Sequence, residues 1–501
     1  MNGTVKSFSI VTGFSVVTRL LSFLFKIWMS RGLGAETVGI YQIALSVLML
    51  LFSLTAGAPT VLSRKVAECA ARGDVKRQNA LTTASVLIGL TVSAAICIIF
   101  YAFSRYLGGI FADERCMPIF LIMLPALITS SLYAPMRSWF WGRKNFLAFS
   151  ATELTDEILK IGFAMLFASG FFAALTGAAG VALAFVLSDA VCVIILAALF
   201  FKAGGRPARP AGTKELLTAT VPLSAIRILT SLSASLTALI IPRMLVSGGM
   251  SVAAATAEYG RVAGMALPLI MAPITVISAL SVVLIPDIAE LAAKRDFAQI
   301  RAKVQTSLLF AALVAGLFFA IYVPLGRELG AFFFGDEEAG KFVSYAAVII
   351  FPLALNQVTT PVMNSLGMEK VSFVSYICGL ACMLPCIFFL PQVIGIYSMA
   401  AASGCAFVVT SLINSAVLVK KLGRPQNTGK VVSVCLFSLP LALLGQFTER
   451  LLAPYLGSTV TLLVMAVYLF FFYFIFVSAF GVVDVKGFFS MAFAPSGKSS
   501  G

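Results

Sequence analysis

Two arginines stand near the middle of two long apolar runs, Arg19 within 10–27 and Arg227 within 216–241. A charged side chain at the centre of a membrane helix costs about 2.5–3.5 kcal/mol even on lenient insertion scales. A guanidinium presents five donors in a planar fork and can grip a phosphate through two bonds at once. The chemistry these residues point to is recognition of an anion inside a membrane protein.

Each arginine sits in a polar stripe. Thr12, Ser15, Arg19, Ser22 and Lys26 follow one another at spacings that put all five on one helix face, as do Thr220, Ser224, Arg227, Ser231 and Ser235. Hydroxyls flanking an arginine can line a wet cavity. They can equally act as glue between helices, with each arginine neutralised by a carboxylate. The other intramembrane bases are Arg137, Lys160 and Arg261, and the intramembrane acids are Glu153, Asp156, Glu157, Asp189 and Glu258. Asp156 and Glu157 both fall within one helical turn of Lys160. Most of the acids precede Arg227, which leaves room for a net basic pocket further along the chain. The acids are candidates for ion coupling or for charge pairing.

Other chemistries are excluded by what the chain lacks. It contains no histidine, which removes His metal sites, His proton relays and His general bases. No phosphate-binding Gly-rich loop and no extended polar segment is present, so ATP-driven transport by this chain is not expected. The nine cysteines lie almost all within apolar runs and form neither a disulfide framework nor a metal-type pair. Cys378, Cys382 and Cys386 share one helix face, where small soft side chains suit packing. No cofactor and no metal site is expected.

The elements that must position these residues are membrane helices. Of the 501 residues, 60% are hydrophobic and 11% charged, and mean hydropathy is +1.01. Soluble domains carry about 25% charged residues. Fourteen apolar runs are long enough to cross a bilayer: 8–30, 37–61, 80–104, 117–141, 146–170, 178–201, 216–241, 252–285, 304–325, 342–363, 371–391, 394–419, 430–450 and 458–482. The first is too long for a signal-peptide core and has no cleavage site behind it. The eighth is overlong, which predicts a tilt or a break near Pro268 and Pro273.

Loop charge sets the expected orientation. With the N-terminus inside, the inner loops collect most of the lysines and arginines, among them Arg64, Lys65, Lys76, Arg143, Lys294, Lys420, Arg424, Lys486 and Lys498. This satisfies the positive-inside rule with both termini cytoplasmic. The net charge of +15 is thus mostly a topology signal. Basic residues scattered over short loops give no nucleic-acid surface.

The chain also repeats. Residues 61–74 align with 283–296 at half their positions, and Arg105-Tyr-Leu-Gly108 aligns with Arg327-Glu-Leu-Gly330. Pro125, Pro135 and Gly142 parallel Pro352, Pro361 and Gly367. An even number of crossings per repeat gives two halves of the same orientation, an arrangement that commonly places a substrate site near the midplane. The expected division is an N-lobe over 1–210, a C-lobe over 211–425, and accessory helices with a tail over 426–501.

The segment from Leu20 through Lys26, Arg31-Gly-Leu-Gly-Ala35 and Gly39-Ile-Tyr-Gln42 resembles the start of the polysaccharide-biosynthesis flippases of the multidrug/oligosaccharidyl-lipid/polysaccharide exporter superfamily. Tyr259-Gly-Arg-Val-Ala-Gly-Met-Ala-Leu-Pro-Leu-Ile270 and Leu280-Ser-Val-Val-Leu-Ile-Pro286 are similar to stage V sporulation protein B and its relatives, as is Glu157-Ile-Leu-Lys160. The resemblance implies an all-α fold of fourteen membrane helices, in two six-helix lobes around a central cavity plus two extra helices. It implies export of a polyprenyl-pyrophosphate-linked sugar, such as the peptidoglycan precursor lipid II, by alternating access. It further implies a pyrophosphate site drawn from Arg19, Lys26, Arg64 and Arg261, to which the polar stripe on the seventh run adds Arg227 as a substrate-binding candidate, and a lipid-tail groove beside the last two helices. The expected setting is the bacterial plasma membrane, as a monomer, with membrane lipids and cell-wall synthesis enzymes as partners. Two other readings compete. A multidrug cation exporter of the same superfamily would want carboxylates facing its cavity. A membrane glycosyltransferase or polymerase would want catalytic carboxylates on sizeable loops, and the outer loops here are short.

Overall fold

The structure, a computed structural model, describes residues 3–168, 177–423, 428–479 and 481. Every regular element among the described residues is a helix, and none is a strand. Arg424, Lys486, Lys498, the far end of the run 458–482 and the tail beyond it lie outside the described residues.

Contacts divide the chain into two compact units, Met1–Gly260 and Arg261–Gly501. The first unit opens with α1 (Gly3–Thr55) and α2 (Gly57–Ala71). Gly34, with φ 79° and ψ 166°, interrupts α1 between the first two expected spans. That conformation is open to glycine and strained for other residues. There follow α3 (Val75–Ala102), the single turn α4 (Ser104–Leu107), α5 (Cys116–Met123), α6 (Ala126–Gly142), α7 (Phe146–Ala168), α8 (Ala178–Lys202), α9 (Thr213–Ser247) and α10 (Val252–Gly260). A core of Leu62, Val66, Leu81, Trp139, Phe140, Leu196 and Phe200 ties α2, α3, α6 and α8 together. Helix α9, expected to open the second lobe, packs on α1 and α2 and so belongs to the first compact unit.

The second unit begins with a π-helical stretch, Arg261–Ala266, leading into α11 (Leu267–Ala293). The break expected in the overlong eighth run therefore falls just before Pro268. Proline has no N–H to return to the preceding turn, which leaves that turn free to widen. The unit continues through α12 (Phe297–Phe334), α13 (Glu337–Ala346), α14 (Ile350–Ser365), α15 (Glu369–Phe389), the short α16 (Pro391–Ile394), α17 (Ser398–Leu422), α18 (Thr428–Leu456) and α19 (Ser458–Ala479). Leu309, Leu313 and Leu325 of α12 share a core with Val434 and Leu441 of α18 and with Met465, Leu469 and Tyr473 of α19.

Among the described residues twelve helices are long and apolar enough to cross a membrane. That is two fewer than the expected fourteen, and two places in the chain bear on the difference. The run Val11–Ala71 spans 61 residues, about 90 Å of helix at a rise of ~1.5 Å per residue, against a hydrocarbon core of about 30 Å. Gly34 interrupts it. Helix α7 is long enough, but Glu153, Asp156, Glu157 and Lys160 make it too charged to count by composition.

The sequence repeat has the same local geometry in both units. After α2, Gly73 turns at φ 71° and Asp74 caps α3, accepting from the Arg77 amide at 2.9 Å. After α11, Arg295 turns at φ 56° and Asp296 caps α12, accepting from the Gln299 amide at 3.0 Å. Asp74 and Asp296 have nearly the same dihedrals, φ −86° with ψ 80° and 75°. Pro135 lies inside α6 and Pro361 inside α14, as their alignment predicts.

Candidate functional site

Seven helices of the first unit surround a cavity of about 390 Å³. Arg227 reaches it from α9, Asp156 from α7 and Asp189 from α8. Thr55, Thr60, Ser85, Ser130 and Ser131 add hydroxyls, and Phe52 and Phe185 add apolar wall.

The polar stripe on α9 divides between two jobs. Ser224 is buried and its Oγ accepts from the Gly57 amide at 3.2 Å, while Ser235 Oγ donates to the Ser46 carbonyl at 2.7 Å. An added Cβ at Gly57 would lie 2.7 Å from both Ser224 Oγ and the Thr220 carbonyl. These contacts are the close small-residue packing by which membrane helices associate. Arg227 lies one turn from Ser224 and is turned toward the cavity. Its Nη2 donates to Thr60 Oγ1 at 3.4 Å, and no carboxylate among the described residues lies within ion-pair distance.

The two acids in the cavity differ in their partners. Thr129 Oγ1 donates to Asp189 Oδ2. Asp156 Oδ1 is buried without a hydrogen-bond partner among the described residues, as is Ser85 Oγ on the facing wall. Buried polar atoms without partners carry a desolvation penalty, so the cavity favours a guest that supplies a donor or a positive charge to Asp156. No group of three or more His, Cys, Asp or Glu that could hold a metal ion occurs among the described residues, and all nine cysteines are free thiols.

The remaining expected site residues lie elsewhere. Lys160 pairs with Glu157, not with Asp156, and Ser22 Oγ of α1 donates to Glu157 Oε1 at 2.7 Å. Glu157 is 5% exposed. Lys26 lies within electrostatic reach of both Lys160 and Glu157, so the lower part of the α1 stripe meets α7. Glu153 takes an ion pair from Arg137 at 2.8 Å, and the Arg137 guanidinium stacks 3.9 Å from the Phe149 ring centre. Arg19 and Arg64 are exposed and do not line the cavity. In the second unit Arg261 Nε pairs with Asp336 Oδ2 at 2.8 Å. Glu258, on α10, is half-buried. The cavity thus brings together Arg227, Asp156 and Asp189, with more acid than base, whereas the sequence pointed to a basic pocket.

Sequence reasoning did not single out the link that joins Asp113 and Arg115 to Glu36 and Thr256. Arg115 Nη2 lies 2.6 Å from Glu36 and 2.7 Å from Asp113, and Thr256 Oγ1 donates to Asp113 at 3.1 Å. Burial alone would raise the Asp113 carboxyl, but the bonds from Arg115 and Thr256 outweigh it and hold it below the ordinary value. The carboxylates raise Arg115 in turn.

This helical architecture recurs in solved transporters. A structure of lipid II flippase MurJ in an inward closed conformation aligns with a TM-score of 0.74 at 12% identity, covering 94% of this chain and 98% of that one. A multidrug resistance MATE family transporter of the MOP superfamily, inward-facing, aligns with a TM-score of 0.68 at 14% identity, covering 82% and 96%. The fold is therefore the one these two structures share. A model of the family described as polysaccharide biosynthesis protein matches residues 4–292, and the chain belongs to that family. Stage V sporulation protein B of Bacillus subtilis (strain 168) is 22% identical over 439 residues, spanning 83% of this chain and 84% of that protein.

Proposed function

We propose that the protein flips a polyprenyl-pyrophosphate-linked oligosaccharide from the cytoplasmic to the outer leaflet of a bacterial plasma membrane. The observation that carries this reading is Arg227, a cavity-facing arginine held by a hydroxyl and not by a carboxylate. A pyrophosphate headgroup needs a polar, cationic path across the hydrocarbon, whereas its tail can remain in lipid. Family membership and the likeness to a lipid II flippase support the same substrate class.

In this reading the repeat lobes 1–210 and 211–425 alternate access around a site between them, as parallel repeats do, with 426–501 as accessory segments. The chain makes fourteen crossings with both termini inside and acts as a monomer that hands its product to cell-wall synthesis enzymes. Arg19, Lys26, Arg64 and Arg261 join Arg227 along the pyrophosphate path. Asp156 and Asp189 couple the cycle to a proton or a metal cation.

A second reading is favoured by those same two acids. A cavity with two carboxylates and one arginine suits a cationic guest, as a multidrug cation exporter requires. Native mass spectrometry of gently purified protein separates the two. A co-purifying polyprenyl-linked sugar supports the flippase. A protein that retains no such lipid and whose proteoliposomes extrude organic cations is the exporter.

A further inference from the structure

The second unit holds a cavity unlike the first. It encloses about 250 Å³ between α12, α14, α17 and α18 and is almost wholly apolar, with Val304, Leu308, Leu418 and Val431 among its walls. Four polar side chains line it: Arg301 and Gln305, one turn apart on α12, Thr359 on α14 and Ser415 on α17. Arg301 Nε, Gln305 Nε2 and Thr359 Oγ1 are buried without a hydrogen-bond partner among the described residues. The first two can only donate and the third can donate, so the cavity suits a guest rich in acceptors.

Its position adds to this. The cavity lies where α12 begins, α17 ends and α18 begins, and the same helix ends carry Lys420 and Lys421 in the last turn of α17 and Lys430 in the first turn of α18. Three carboxylates at this end are engaged elsewhere: Asp287 with Lys303, Glu290 with Lys294, and Asp296 with the Gln299 amide. Gly423 makes room for the guanidinium, since an added Cβ there would sit 3.0 Å from Arg301 Nη2.

We propose that this cavity binds an anionic diacyl phospholipid as a resident lipid, separate from transported cargo. The phosphodiester takes Arg301, the ester carbonyls take Gln305 and Thr359, and one acyl chain lies along Val304, Leu308 and Leu418. Basic pockets between membrane helices at the cytoplasmic face hold anionic headgroups in this way. A polyprenyl phosphate and free phosphate share the anionic chemistry, but a linear isoprenoid carries no ester carbonyls for Gln305 and Thr359, and free phosphate leaves the apolar walls empty.

The test is native mass spectrometry of the full-length, delipidated protein titrated with phosphatidylglycerol, phosphatidylcholine, polyprenyl phosphate or inorganic phosphate. Phosphatidylglycerol should bind at least about ten-fold more tightly than phosphatidylcholine, and Arg301→Ala should remove that preference, as loss of a charge-assisted contact predicts. Leu418→Trp keeps every charge but fills the cavity, and should also lower phosphatidylglycerol retention. It serves as the deciding variant should Arg301→Ala fail to fold. Equal binding of the two phospholipids, unchanged retention in Leu418→Trp or in a folded Arg301→Ala, or displacement of phosphatidylglycerol by equimolar polyprenyl phosphate or by inorganic phosphate overturns the proposal. None of these outcomes depends on transport, so the flippase reading can fail while the lipid site stands.

Discussion

Arg227 on α9 donates to Thr60 on α2 at 3.4 Å, across the wall of the first-unit cavity. A long bond to a neutral hydroxyl holds the guanidinium in place without cancelling its charge. The charge is therefore left for a guest, whereas Arg137 spends its charge on Glu153.

Arg227→Ala is expected to weaken substrate binding by about 1.5–3 kcal/mol, the usual worth of a hydrogen bond to a charged group. Arg227→Lys should recover part of this, because an ammonium cannot reproduce the fork. Thr60→Val should have a smaller effect. Binding of a lipid-linked sugar to purified variants checks the ranking. A Thr60→Val loss larger than that of Arg227→Ala contradicts it.

Asp156 and Glu157 are neighbours in sequence with different expected phenotypes. Glu157 is buried between Lys160 and Ser22. Removing one partner of a buried ion pair costs about 3–5 kcal/mol, so Glu157→Gln should lower the detergent-solubilised melting temperature clearly. Asp156 Oδ1 has no such partner, so Asp156→Asn should melt near the parent and alter the ion dependence of transport. Thermal melts and transport under imposed ion gradients check the pair. Similar melting losses for both would remove the distinction.

That contrast marks how much the sequence could tell. It could show that Lys160 has two carboxylates within one turn, but i−3 and i−4 positions are equally reachable on a helix surface. The packing of α1 against α7 decides the matter by bringing Ser22 to Glu157. The Arg261–Asp336 pair was hidden for a similar reason, because its members are 75 residues apart and no local pattern joins them. The break before Pro268 and the matched turns at Asp74 and Asp296 were legible, since backbone chemistry and self-similarity are local signals. The cavity was half legible: Arg227 and Asp189 stood out as charges in apolar runs, but only the fold puts them in one place.

The Asp113 link predicts an acid-sensitive element outside the spanning segments. The folded state holds the Asp113 carboxyl below its usual value of 3.8. Its stabilisation is thus fully present above that value and is lost as pH falls through the lower folded one. Asp113→Asn should melt lower than the parent at neutral pH, with the gap closing in strong acid. Melting temperatures from pH 7 down to about pH 3 check this. A gap independent of pH would mean that the residue matters by shape and not by charge.

Loop charge predicts sidedness. In a cysteine-free background, Glu337→Cys, at an exposed position, should react with an impermeant thiol reagent on intact cells and Lys76→Cys only after permeabilisation. The opposite pattern would reverse the assigned orientation and with it the direction of transport.

The most direct test of the central claim is flipping itself. Purified protein would be reconstituted into liposomes with a fluorescent polyprenyl-pyrophosphate-linked sugar, and the fraction shielded from a membrane-impermeant quencher followed over time. The account predicts translocation well above protein-free liposomes, and strong loss in Arg227→Ala and in the double variant Arg19→Ala, Arg261→Ala, with insertion unchanged. No translocation by the parent protein, or full activity in all these variants, would contradict it and make the arginines structural counter-charges.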